Sequence, residues 1–272
     1  MATCTIACIG CGNMGGAMLG GWLAVAGKRD YRLLGMTRTP ARAAALVERG
    51  LTLCGTAEEA ARQADIVVLA VKPYQVADVL AGLSPALDAG KLLVSVAAGV
   101  SVERLRAASG GRCPVARCMP NTPALVGKGV FALCFDDPAL TPEARERVQR
   151  LFADLGVCVE LPEARMTAFS ALVGAGPAYV FQMMQGLVQA GATQGFSWAQ
   201  SRELVAALFE GCACMARQET TPLMEMRDNV CSPAGLTIAG VNVLDRAGLS
   251  GLLVDAVLAA EQRGREMEGG KA

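Results

Sequence analysis

The sequence predicts a doubly wound α/β domain in residues 1–163, built on a mostly parallel sheet, followed by an all-helical domain in residues 164–272. Three observations carry that expectation. Short charge-free apolar runs alternate with helix-compatible segments through the first 160 or so residues, the pattern of a parallel sheet buried on both faces. The first run ends in Gly10, Gly12 and Gly15, a G-x-G-x-x-G spacing that opens into a helix. From Met166 to Ser201 there is no charged residue, and helical periodicity continues from there to the C-terminus.

In chain order, Ile6 to Gly10 reads as the first strand and the helix after Gly15 ends near Gly27. Each glycine has a mechanical role in a Rossmann-type dinucleotide site. Gly10 permits the tight turn, Gly12 lets backbone approach a pyrophosphate, and Gly15 lets helix pack on strand. The free amides at the helix start face the anion. A second strand over 31–36 leads into Thr37-Arg38-Thr39-Pro40. An NAD site usually carries a carboxylate there, which would repel a 2′-phosphate; Arg38 pairs with one and the threonine hydroxyls donate to it. NADP is therefore expected, with NAD as the second possibility and a solvated Arg38 as the plain alternative.

A helix over 41–49 with Leu46 and Val47 inward, a short helix over 57–63 and a strand over 65–71 follow. The strand ends at Lys72-Pro73, so Ala70, Val71, Lys72 and Pro73 fall at the carboxyl edge where a ligand crevice forms. Lys72 reads equally as a functional cation or a strand-end charge. Further strands are expected from 92, over 115–119, 129–135 and 157–161, with helices over 102–108 and 142–155, the latter opening on proline. The loop Pro120-Asn121-Thr122-Pro123 is stiffened by its two prolines.

The charge-free stretch invites a membrane span, but glycines and Pro177 interrupt it and Gln182, Gln185 and Gln189 recur on one face. A buried helix from Pro177, enclosed in part by another subunit, is expected instead. A helix over 201–218 comes next. Ser232-Pro233 then reads as an N-cap with proline at the first helical position, opening a helix that runs to Ala247. Small residues at Ala234 and Gly235 leave the amides bare for a carboxylate, although an ordinary capped helix is the simpler reading of that segment alone. The last helix, 250–266, has an apolar stripe opposite its charges.

Composition removes several functions. Lysine plus arginine and aspartate plus glutamate balance at 25 each, which points away from nucleic acid. There is no histidine, so Ser-His-Asp hydrolysis and hydride transfer with a histidine acid are excluded, and a metal site is not expected. No tyrosine has a lysine four residues on, which excludes a Tyr-x-x-x-Lys dehydrogenase. Eleven cysteines with no leader segment read as reduced core residues in the cytoplasm. Cys8 and Cys11 form one C-x-x-C, and a helix N-terminus would lower the Cys11 thiol pKa, which leaves a minor redox reading.

Taken together, Ile9 to Gly15, Ala70 to Pro73, Met119 to Pro123, Gly174 to Phe181 and Asp228 to Pro233 resemble the pyrroline-5-carboxylate reductase family, in the family's order and over nearly the whole chain. The resemblance implies reduction of L-1-pyrroline-5-carboxylate to L-proline by hydride from NADPH or NADH. It also implies a homodimer formed through the helical domain, sometimes assembled further into a decamer, and no membrane or nucleic-acid partner. It adds Asn13, Met14, Ala97 and Asn121 to the cofactor residues. Ser232, Gly235 and Leu236 would hold the substrate carboxylate and Thr237 the ring nitrogen, with Ser232 and Thr237 as the catalytic pair and Glu219 beside the substrate. The chain departs from the family at Ala57, Ala234, Leu236, Gln185 and Gln189. A protonated cyclic imine is already electrophilic, which suits a site without histidine. Another imine or β-hydroxyacid reductase, or a non-catalytic NADP-binding redox sensor, is the alternative; the hydroxyacid branch lacks its lysine, since 166–201 contains none.

Overall fold

The computed structural model describes residues 3–268. They fall into two compact units, one of 3–175 with 261–268, the other Gly176–Ala260.

The first unit is an eight-stranded sheet. Its elements are β1 (Cys4–Ile9), α1 (Asn13–Arg29), β2 (Tyr31–Met36), α2 (Ala44–Val47), β3 (Thr52–Leu53), α3 (Ala57–Gln63), β4 (Ile66–Leu69), α4 (Val76–Leu83), β5 (Leu92–Ser95), α5 (Val102–Ala108), β6 (Val115–Met119), β7 (Gly129–Cys134), α6 (Pro142–Ala153), β8 (Gly156–Glu160) and α7 (Met166–Phe169). Strand order is β3-β2-β1-β4-β5-β6-β7-β8, so the winding reverses between β1 and β4. Ligands of such sheets bind at the carboxyl ends beside that reversal. All pairs are parallel except β6 with β7. Only residues 120–128 join those two strands, too few for a crossover, so the chain must turn back antiparallel.

The core lies on both sheet faces. On one, Trp22, Phe131 and Phe152 are fully buried, the Trp22 and Phe152 rings meet edge-to-face at 5.8 Å, and Trp22 Nε1–H donates to the Leu151 carbonyl at 2.8 Å. On the other, Leu34, Val67, Leu69, Leu80, Leu83 and Leu93 close the layer. The predicted helix over 41–49 is instead a 3-10 turn, Pro40–Ala43, leading into the single turn α2. Val47 is exposed there, whereas Leu46 packs against the core as expected, beside the fully buried Ala43.

The second unit comprises α8 (Gly176–Thr193), α9 (Trp198–Gln218), α10 (Leu223–Asn229), α11 (Leu236–Arg246) and most of α12 (Leu249–Glu268). A Cβ added at Gly191 would meet the Ser201 Cβ at 3.0 Å, so glycine sets how closely α8 and α9 approach. The buried helix expected from Pro177 is present but not buried within the chain: Val188 is its one buried residue, and Gln182, Gln185 and Gln189 are exposed. No helix of the described residues is long and apolar enough to cross a membrane.

Candidate functional site

The first unit builds a phosphate cradle at the winding reversal. Gly10 has φ +107°, and a side chain there would reach the Ala70 carbonyl oxygen at 2.6 Å. Gly15 presses against the Gly10 carbonyl, which excludes any Cβ. Gly12 differs from both: its φ is an ordinary −76°, and an added Cβ would meet no protein atom within 4 Å. Space is therefore kept clear at the N-terminus of α1. That helix has no side-chain cap and no acidic residue in its first turn, so the amides of Asn13, Met14 and Gly15 point at open space. A dinucleotide pyrophosphate fits this donor set.

Thr37 is half-buried at the end of β2, where its Oγ1 accepts the Thr39 N–H at 3.3 Å, and Arg38 and Thr39 are exposed beyond it. Ala70 and Val71 are half-buried past β4, held by the bond from the Ala70 N–H to the Ile9 carbonyl at 2.8 Å. Lys72 and Pro73 are exposed, and Ala97 is buried past β5. These residues lie past the carboxyl ends of β2, β4 and β5.

The side chain of Asn121, expected among the cofactor residues, is engaged within the protein. It is 6% exposed, its Oδ1 accepts the Val130 N–H at 2.9 Å, and its Nδ2 donates to the Val173 carbonyl at 3.3 Å. That carbonyl lies in a π turn, Ser170–Gly174, and the residue four positions on is Pro177, which has no N–H to offer it. Asn121 therefore fastens the 120–123 loop to the turn.

The thiol reading is corrected. Burial pushes Cys11 up to about 11, and its thiol donates to the Met36 carbonyl at 3.6 Å. Burial, and then the neighbouring Cys11, raise Cys8 well above its ordinary value too. The Cys11 shift runs opposite to the lowering that a redox role would need. All eleven cysteines are free, but Cys212 and Cys214 are exposed rather than in the core. No metal-ligating cluster occurs among the described residues.

In the second unit, Ser232 is not the N-cap that the sequence suggested. α11 starts at Leu236 with Gly235 as N-cap, and Ser232-Pro233-Ala234-Gly235 forms a turn closed by the Gly235 N–H donating to the Ser232 carbonyl at 3.0 Å. Proline at the second position and a positive φ at the third, Ala234 at +57°, fit a type II turn. The Gly235 amide is thus occupied, while those of Leu236 and Thr237 have no acceptor among the described residues. The Ser232 hydroxyl lies against Gly235, where any Cβ would collide with it. Leu236 is 96% exposed, and Thr237 is exposed beside it. Arg227 braces the start of this segment by pairing with Asp228 at 2.7 Å and Asp245 of α11 at 3.5 Å. Glu219, an exposed residue, ends α9.

Arg42, which sequence reasoning passed over, lines a groove of about 820 Å³ together with Gly12, Asn13 and Arg49. Its signal was the spacing Arg38-x-x-x-Arg42 around Pro40.

A family model described as pyrroline-5-carboxylate reductase dimerisation matches residues 163–267, and one described as NADP oxidoreductase coenzyme F420-dependent matches 5–99. The chain is 34% identical to the pyrroline-5-carboxylate reductase of Corynebacterium melassecola over 97% of its own length and 98% of that protein. It is 35% identical to the Pseudomonas aeruginosa enzyme of the same name over 98% of each. Its fold matches a crystal structure of Plasmodium falciparum pyrroline carboxylate reductase with NADP bound, at TM-score 0.86 and 30% identity, covering 98% of this chain and 99% of that one.

Proposed function

The chain belongs to the pyrroline-5-carboxylate reductase family, and from that premise we infer how its residues divide the work of reducing L-1-pyrroline-5-carboxylate to L-proline. It is an NAD(P)H-dependent oxidoreductase of proline biosynthesis, and NADP(H) is its cofactor. The bound cofactor supplies the hydride. The uncapped start of α1 at Gly12, Asn13, Met14 and Gly15 holds the pyrophosphate, and Thr37, Arg38 and Thr39 take the adenosine end. Backbone at Ala70 to Pro73 and at Ala97 borders the nicotinamide end.

On the substrate side, the Ser232 hydroxyl and the Leu236 and Thr237 amides hold the carboxylate, and the Thr237 hydroxyl orients the ring nitrogen. Glu219 stands as a further polar contact for the substrate. The imine nitrogen already carries its proton, so the protein's contribution is orientation rather than acid catalysis, and a chain without histidine suffices.

The observation that carries this reading is the clear space at Gly12 beneath bare amides, in a chain similar to the family over its full length. Its direct test is the fall in NADPH absorbance when pyrroline-5-carboxylate is added to the purified protein. Absorbance that stays level with active substrate present would refute it.

The chain forms homo-oligomers. We assign the contact to a homodimer of the helical region, with a decamer as the larger assembly, working on a small-molecule substrate with no membrane or nucleic-acid partner. The cytoplasm is the compartment in which eleven unpaired cysteines stay reduced.

A further inference from the structure

The exit of β2 carries two cations, Arg38 and Arg42. Like several other arginines of this unit, Arg32, Arg104 and Arg112 among them, Arg38 and Arg42 have no carboxylate partner among the described residues; what sets Arg42 apart is its place on the groove. Arg42 stands on a fixed base. Its N–H donates to the Thr39 carbonyl at 3.0 Å, Pro40 opens the turn, and the next residue, Ala43, is fully buried. The groove it lines is shared with Gly12 and Asn13, the bare start of α1. Arg49, further along, is tied to the Gly20 carbonyl at 2.7 Å, so Arg42 is the groove's uncommitted cation.

We propose that Arg42 acts with Arg38 as a second specificity-determining cation, reading the 2′-phosphate of the cofactor; the proposal rests on the NADP reading above. A phosphate monoester carries about −1.5 to −2 at neutral pH, so one guanidinium leaves roughly half of that charge unbalanced. No carboxylate stands at Thr37 to Thr39 to oppose it. Arg42, inside the proline-initiated turn Pro40–Ala43, and Arg38, just before it, supply a matching charge and planar forks that suit phosphate oxygens.

The test uses 2′,5′-ADP and 5′-AMP, which differ only in the 2′-phosphate, titrated calorimetrically into the whole apo protein. Wild type should favour 2′,5′-ADP. Arg42→Ala should weaken 2′,5′-ADP about tenfold, the loss of one charge-assisted contact, while leaving 5′-AMP within about twofold. Arg42→Lys should recover part of the loss, and KM should rise for NADPH but not for NADH. The side chain is exposed, so melting temperature should not move. Unchanged 2′,5′-ADP binding by Arg42→Ala would overturn the proposal, and so would equal weakening of both nucleotides. Wild type that binds both nucleotides alike would overturn the NADP reading, and this inference with it, which separates the two failures.

Discussion

At the residue scale, two glycines three positions apart serve opposite purposes. Gly15 is glycine because the Gly10 carbonyl occupies the place of its side chain; Gly12 is glycine because nothing of the protein does. Gly15→Ala should therefore destabilise the first unit by about 3 kcal/mol or more, as an overpacked position with rigid backbone on the other side. Gly12→Ala, at an ordinary φ, should leave the unfolding midpoint within about 0.5 kcal/mol and still reduce NADPH affinity at least tenfold. Urea titration and cofactor binding on the two variants check this, and a Gly12→Ala protein that binds NADPH normally would remove the cradle. Thr237 is tested in the complementary way. Thr237→Ala should lower kcat about tenfold, the worth of one orienting hydrogen bond, with KM for NADPH unchanged. Turnover at the wild-type rate would show that its hydroxyl does not touch the reacting ring.

At the element scale, legibility followed the length and the ambiguity of the signal. β2 was read to the residue because Asp30 and Thr37 bound a six-residue segment whose only charge, Arg32, lies near its start. The two-residue β3 is too short to show a period, whereas α4 does show one, Val76, Val79, Leu80 and Leu83 at i, i+3, i+4 and i+7, which the sequence reading passed over. α10 was hidden for a reason similar to β3, being only seven residues between a proline and a turn. Ser232-Pro233 was misread because serine before proline signals either an N-cap or the first half of a type II turn. Gly235, which can cap a helix itself, decides for the turn and moves the helix start to Leu236. The bond from Asn121 to the Val173 carbonyl spans 52 residues, and no local pattern announces such a pairing. The turn also makes a prediction. Ala234 holds φ +57°, where a Cβ costs about 1 kcal/mol, so Ala234→Gly should raise stability by up to that amount after the entropy of the more flexible unfolded chain is subtracted. A lower denaturation midpoint in this variant would show that the turn is unstrained.

At the scale of the whole molecule, alkali and assembly probe the two units separately. Burial raises Cys11, Cys113, Cys134 and Cys158 from 9.0 to about 11, and burial beside Asp154 raises Tyr31 from 10.0 to about 12. The folded chain then holds protons that the unfolded chain releases first. This contribution is complete below pH 9 and is lost as pH climbs from 9 towards 11, with Tyr31 adding to the loss between 10 and 12. The urea midpoint should fall between pH 8 and pH 10.5, and a flat profile would contradict the shifts. The second unit carries a different instability. Phe181 of α8, Leu204, Leu208 and Met215 of α9, and Leu252 and Leu258 of α12 are each between 50% and 64% exposed in the single chain. Apolar surface on that scale needs a partner, and residues 163–267 match a dimerisation family. Leu204 and Leu208 lie one turn apart on α9 and pack on little within their own chain, so the double variant Leu204→Asp and Leu208→Asp leaves the monomer fold intact. Two unpaired carboxylates at a dimer contact would cost several kcal/mol. Sedimentation should show monomer at concentrations where the wild type is oligomeric, and the melting temperature should lose its dependence on protein concentration. Binding of 2′,5′-ADP should persist, since the first unit holds that site. Wild-type sedimentation of the variant would place the interface on another face of the helical unit.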